Sequence, residues 1–117
     1  MREFETGATR DSDDTKLDPS GFLSPLVIKR YSEYMTRHRV QADGQLRSSR
    51  NWRKGIPKEA YQDSMIRHVL DAWLILDGFP LESREPLEET LCAILFNVCG
   101  LLHEEIIERK KLERGRV

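Results

Sequence analysis

Between Leu91 and Leu102 the chain reads LCAILFNVCGLL, a run in which Asn97 is the only strongly polar side chain. A segment with that composition is a helix buried on nearly every side, and a chain of 117 residues has little else to bury it with. Length allows one domain. At 100° per residue, Glu89, Ala93, Asn97, Gly100 and Glu104 fall within about 80° of one another, so one narrow stripe is polar or small and the rest is apolar. Ala93 and Gly100 suit either a close helix contact or room for a ligand between polar groups. Pro86 opens this helix, Glu88 and Glu89 in its first turn favour the helix dipole, and Gly115 ends it.

Two further helices are predicted. Ser24-Pro25 is a capping hydroxyl followed by proline at the first helical position, and Val27, Tyr31, Tyr34 and His38 then recur at helical spacing. After the breakers Gly55 and Pro57 a longer helix runs to about Leu76, where Asp77-Gly78-Phe79-Pro80 stops it. Met65, Ile66, Val69, Leu70, Trp73 and Leu76 form its expected core stripe, with Ser64, His68 and Asp71 on another face. Asp71 is the only polar side chain from Val69 to Leu76, and burying it requires a cation, a hydrogen-bond donor or a proton. The expected fold class is therefore all-α, a bundle of three main helices over about 25–38, 58–76 and 86–111. Their apolar circumference exceeds what one short chain can cover, so the bundle is expected to be completed by homo-oligomerisation, as a dimer or tetramer.

Residues 1–20 carry six acids, three bases and only Phe4 and Leu17 as large apolar side chains. They read as an extended or disordered arm preceding a single helical domain over 21–117, and Arg10 and Asp11 are the arm's candidates for folding over a site. The formal net charge of −1 gives no global field to recruit nucleic acid or an anionic membrane. No uninterrupted apolar run reaches the roughly 18 residues of a membrane span, and the acidic start MREFETG is unlike a signal peptide, so a cytoplasmic location is expected. Cys92 and Cys99, roughly 10 Å apart along one helix, cannot pair with each other; they read as core thiols.

From Arg37 to Lys58 the chain holds seven Lys or Arg and one acid, Asp43. No period survives there, so residues 39–57 read as a basic loop. It is either a solvated surface or a local anion site beside a helix N-terminus. Trp52 within it is either a hydrophobic anchor or a platform for a base. Familiar sites are absent: there is no GxxxxGK[ST] or GxGxxG loop, no adjacent His-Asp pair, and His103-Glu104 lacks the second histidine of HExxH. What remains is His68 and Asp71 on one helix, Glu88, Glu89 and Asn97 on the next, and the basic loop nearby. Carboxylates from two antiparallel helices can build a hard-cation site. A closed His–Asp–Asn hydrogen-bond network explains the same residues without a ligand.

Glu5-Thr6-Gly7 with Arg10-Asp11, then Arg50-Asn51-Trp52 with Lys54-Gly55-Ile56-Pro57, then Arg67-His68, and Phe96-Asn97 in an apolar helix resemble a phage-associated family, the one named for the N-terminal domain of dATP/dGTP diphosphohydrolases. That family is similar to the all-α nucleoside triphosphate pyrophosphohydrolases of MazG type. The likeness spans Glu5 to about Glu105, and Asn-Trp-x-Lys-Gly-Ile-Pro is its most specific element. It implies a helical oligomer in the host cytoplasm that cleaves a purine deoxynucleoside triphosphate, dATP or dGTP, to the monophosphate and pyrophosphate with Mg²⁺ or Mn²⁺.

On that basis Asp71, Glu89, Glu88 and His68 would hold the metal, with Asp71, Glu89 and His68 catalytic. Arg50, Arg53 and Lys54 would grip phosphates, Asn51 and Trp52 the base, and Asn97 and Arg67 would assist in binding. The MazG-type ligand pattern is ExxE on one helix and ExxD on the next. This sequence departs from it: His68-x-x-Asp71 stands in place of the first and Glu89-x-x-Cys92 is the nearest approach to the second. The rival class is a non-catalytic helical module of a phage that binds nucleotide or docks on another protein.

Overall fold

The computed structural model describes residues 2–10 and 15–115. The chain is all-α, with α1 (Pro19–Phe22), α2 (Pro25–Arg37), α3 (Lys58–Leu76) and α4 (Leu87–Arg114). Single 3₁₀ turns lie at Asn51–Lys54 and Pro80–Glu82. A two-residue hairpin, β1 (Arg2–Glu3) with β2 (Thr9–Arg10), sets Arg2 opposite Arg10. Every described residue from 2 to 29 is exposed. Of the pair Arg10 and Asp11, only Arg10 is among the described residues.

The local chemistry sets the helix ends. Ser24 Oγ accepts from the Val27 N–H at 3.4 Å, with Pro25 at the first helical position of α2. Pro57 precedes α3 with φ −57°, and α3 stops before Gly78, whose φ of +97° side chains resist. The segment between α2 and α3 is less irregular than its composition suggests. Arg47 N–H donates to the Arg39 carbonyl at 2.7 Å and Val40 bridges Leu46, closing a small hairpin around Asp43-Gly44. The cause is turn chemistry: Gly44 takes φ +81° and Asp43 Oδ1 accepts from the Gln45 N–H.

α3 and α4 form an antiparallel pair, with Lys58 at the start of α3 bonded to Glu105 and Glu108 near the end of α4. Their seam is polar and close. Thr90, fully buried, donates its hydroxyl to the His68 carbonyl at 2.9 Å. The Asn97 amide donates to Ser64 Oγ at 3.2 Å and to the Ala93 carbonyl at 2.8 Å. At Gly100 a Cβ would sit 2.2 Å from Cε1 and Cζ of Tyr61, so the small residue there admits an aromatic ring. α2 lies across α4 through Tyr34, Tyr31 and Met35, packed on Cys92 and Ala93. Both cysteines are free thiols; Cys92 is buried, as expected, whereas Cys99 is exposed rather than a core thiol.

One sequence expectation is reversed. The face of α3 turned to α4 carries Tyr61, Ser64, His68, Asp71 and Ala72, while of the expected core stripe Met65 is half-buried and Ile66, Val69, Leu70, Trp73 and Leu76 are exposed. The Asp71 carboxylate, the Ser64 hydroxyl and the buried Thr90 hydroxyl pair across this face, with Arg84, Asn97 and the His68 carbonyl. Leaving them unpaired in a buried apolar setting costs more than leaving the stripe uncovered within one chain.

Gly100→Ala is expected to destabilise the fold by about 1–3 kcal/mol through overpacking against Tyr61, lowering Tm by roughly 4–8 °C per kcal/mol. Thermal unfolding followed by circular dichroism checks this; an unchanged Tm would mean that the Tyr61 ring moves away freely.

Candidate functional site

Asp71 is 4% exposed and carries the strongest polar contacts of α3. Its Oδ2 accepts from Arg84 Nη2 at 2.6 Å and Nε at 2.8 Å, and its Oδ1 accepts from the Arg84 N–H at 3.2 Å. The compensating cation is therefore supplied by the turn between α3 and α4. Arg84 holds the Asp71 carboxyl below the usual carboxylate range, against the upward push of burial.

Beside this pair, Glu85 Oε1 lies 2.6 Å from His68 Nδ1, yet neither atom has an aligned hydrogen-bond partner, and both are closed off from water. One ligand atom from each of His68, Asp71 and Glu85 can be chosen so that all lie within 4.8 Å of one another. Two carboxylates and an imidazole are donor types that a divalent cation accepts.

Glu88 and Glu89 are elsewhere engaged. Arg30 Nε reaches Glu88 at 2.7 Å, while Arg30 Nη2 and Arg37 Nη2 reach Glu89 at 3.2 and 2.7 Å. Burial raises the Glu89 carboxyl, but Arg37 and Arg30 together outweigh it and hold it below its ordinary value. Among the described residues the His/Asp/Glu grouping that forms contains Glu85, not Glu88 or Glu89. Tyr34, between α2 and α4, is pushed up to about 12 by burial and then by Glu85 and Glu89, so it remains a neutral phenol.

A cleft of about 910 Å³ opens between α2, the 39–57 segment and the α3–α4 seam. Asn51, Trp52, His68 and Asn97 all line it. Trp52 meets His103 of α4 edge to face, ring centroids 4.9 Å apart, and Arg53 stacks over the Trp52 ring at 5.2 Å. Trp52 thus anchors the basic segment and faces the cleft as well. Arg50, Arg53, Lys54 and Arg67 are exposed and do not line it; the lining guanidinium side chains are Arg39 and Arg47.

At the floor, Tyr61 is 1% exposed and its hydroxyl has no partner. Asn97 spends both amide hydrogens on Ser64 and Ala93, so its oxygen is left as an acceptor. His68 is the side chain common to the cleft and the acidic cluster.

Sequence reasoning missed Arg84, Glu85, Tyr61, Arg39 and Arg47. A signal existed for the first two: a buried carboxylate demands a cation, and Arg84-Glu85 is the charged pair just before the proline that opens α4.

Because the folded Asp71 carboxyl titrates below its unfolded value, its stabilisation is complete above roughly pH 4 to 5 and is lost as pH falls through the lower folded value. The stability gap between wild type and Asp71→Asn should therefore be widest near neutrality and close on acidification below about pH 4. Urea titrations across pH 3–7 measure it; a gap independent of pH would mean that Arg84 does not hold the carboxylate.

Comparison with known proteins leaves the argument with the residues themselves: no family model matches the chain, and neither a curated protein nor a solved structure matches it.

Proposed function

We propose that this protein is a metal-dependent nucleoside triphosphate pyrophosphohydrolase, acting on a purine deoxynucleoside triphosphate and releasing the monophosphate and pyrophosphate. The observation that carries the proposal is the cleft of about 910 Å³ whose wall at His68 is shared with the Asp71–Glu85 cluster. Its volume lies in the roughly 300–1,000 Å³ range of small-molecule sites, and its lining supplies three kinds of contact that a nucleotide needs. Trp52 and Phe96 offer aromatic surface, Arg39 and Arg47 offer cations, and Asn97 with Tyr61 offers an acceptor and a donor at the floor. The reaction class comes from the family resemblance of the Asn51–Pro57 element.

His68, Asp71 and Glu85 are the residues that would hold Mg²⁺ or Mn²⁺, which when bound supplies positive charge for the triphosphate and acidifies water at the site. Arg84 keeps Asp71 ionised and correctly turned. Arg39, whose Nε donates to the Arg47 carbonyl at 2.7 Å, is fixed by that bond rather than free to sweep through solvent, so it orients phosphate at lower entropic cost. Trp52, braced by His103, gives the base a flat wall.

One observation favours the second reading, a nucleotide-binding module without catalysis: Asp71, Glu88 and Glu89 each have an arginine partner within the chain. A single assay separates the two. Purified protein with Mn²⁺ is expected to release pyrophosphate from dATP or dGTP, with Asp71→Asn and Glu85→Gln each lowering kcat at least about 100-fold, as expected where a group holds a catalytic metal. Metal-dependent nucleotide binding without pyrophosphate release assigns the module instead, and no nucleotide binding by folded protein rejects both.

A further inference from the structure

A single copy of this chain is too open to be the finished molecule. Its accessible surface is 9798 Å², whereas a folded monomer of 13.7 kDa exposes about 6,600 Å². Its radius of gyration is 19.5 Å, against about 13 Å for a compact chain of this length. Part of the excess lies in the described residues 2–10 and 15–29, all of them exposed. The part that carries apolar surface in register lies on α3.

There Ile66 (55% exposed), Leu70 (52%), Trp73 (65%) and Leu76 (71%) line one face with Val69, and Phe79 continues it beyond the helix end. Spaced at three and four residues, they form a single stripe on the side of α3 away from α4. Together they leave on the order of 600 Å² of apolar surface uncovered, at the top of the range for a monomer's largest patch. A standard interface takes about 800 Å² from each partner, a little over half of it apolar.

We infer that this stripe is the seam between two copies of the chain, α3 against α3, with Trp73 at its centre. The area fits: one stripe supplies what one side of a stable homodimer buries, and the same face on both subunits meets under two-fold symmetry. Trp is the residue type most concentrated at the energetic centre of such seams. A lipid surface is the rival occupant, since α4 is long and apolar enough to cross a membrane by length and composition. Against it, the α3 stripe has Asp63 and Asp77 at its two ends and a single neighbouring cation, Arg67, and the chain's formal net charge is −1. Helices that lie on anionic lipid carry a lysine- and arginine-rich polar face. The inference is independent of what the cleft binds.

Sedimentation equilibrium of the full chain without nucleotide is expected to give twice the 13.7 kDa chain mass or a higher even multiple, and Trp73→Glu is expected to shift it to the single-chain mass. As a second variant that does not disturb the stripe, Trp52→Phe leaves Trp73 as sole tryptophan reporter. Its emission should be blue-shifted at micromolar concentration and move to the red on dilution, in step with the loss of mass. A folded monomer at all concentrations overturns the inference. So does an oligomer whose Trp73 stays solvent-exposed, and so does a Trp73 blue shift seen only on adding phosphatidylcholine–phosphatidylserine vesicles.

Discussion

The ion pair between Asp71 and Arg84 is what the α3–α4 pair depends on. A carboxylate at 4% exposure stays charged only with close compensation by a cation or hydrogen-bond donors, and Arg84 supplies both, two bonds through its guanidinium and a third through its own backbone N–H. Because the backbone takes part, the pair fixes the path of the chain as well as a side chain. The turn after α3 is drawn back along the helix, so that α4 begins where Thr90 can reach the His68 carbonyl. Once α4 starts in that register, Asn97 falls opposite Ser64 and Gly100 opposite Tyr61, seven and ten residues further along. The polar seam is thus a consequence of a single buried charge finding its partner at the end of the turn, just before α4 begins.

That order of causes explains what could be read in the amino-acid sequence. Helix ends were legible because they follow from local groups: Ser24-Pro25, Pro57, Gly78 and Pro86 act on their own neighbours, and all-α architecture follows from the periods between them. The facing of α3 was not. Periodicity separates the Ile66–Leu76 stripe from the Ser64–His68–Asp71 face but does not say which turns inward, and assigning the apolar one to the core presumes that one chain holds the whole core. In this chain the inward face is decided by hydrogen-bond partners on α4 and on the turn that precedes it.

The site was legible in the same uneven way. Asn51, Trp52, His68 and Asn97 converge on one cleft because each sits near an element end or on the seam. Glu88 and Glu89 were drawn towards Asp71 by reasoning on spacing along α4, whereas their direction is set by Arg30 and Arg37 on α2, residues that carry no periodic signal of their own. Glu85 precedes the helix and so lies off any helical wheel. A partner chosen across a bundle is a three-body matter, and pairwise spacing cannot express it.

Arg84 also bears on whether the cluster can take a cation at all. Counted with histidine neutral, Asp71, Glu85, His68 and Arg84 sum to one negative charge. A divalent ion added with Arg84 in place would leave a net +1 beside the cleft, a suitable field for a polyanionic chain of phosphates, so the proposed function does not require Arg84 to leave. The Asp71 carboxylate offers about four lone-pair directions and Arg84 occupies three, so under the proposed function Glu85 and His68 would have to contribute more to holding a metal than Asp71. Weak, partly shared ligation of that kind suits Mg²⁺, which keeps several waters and is held by few carboxylates together with its substrate's own phosphates. The guanidinium that stabilises the fold would then lower affinity for the free ion while leaving affinity for the ion–triphosphate complex nearly intact, because the incoming phosphates bring the missing negative charge with them.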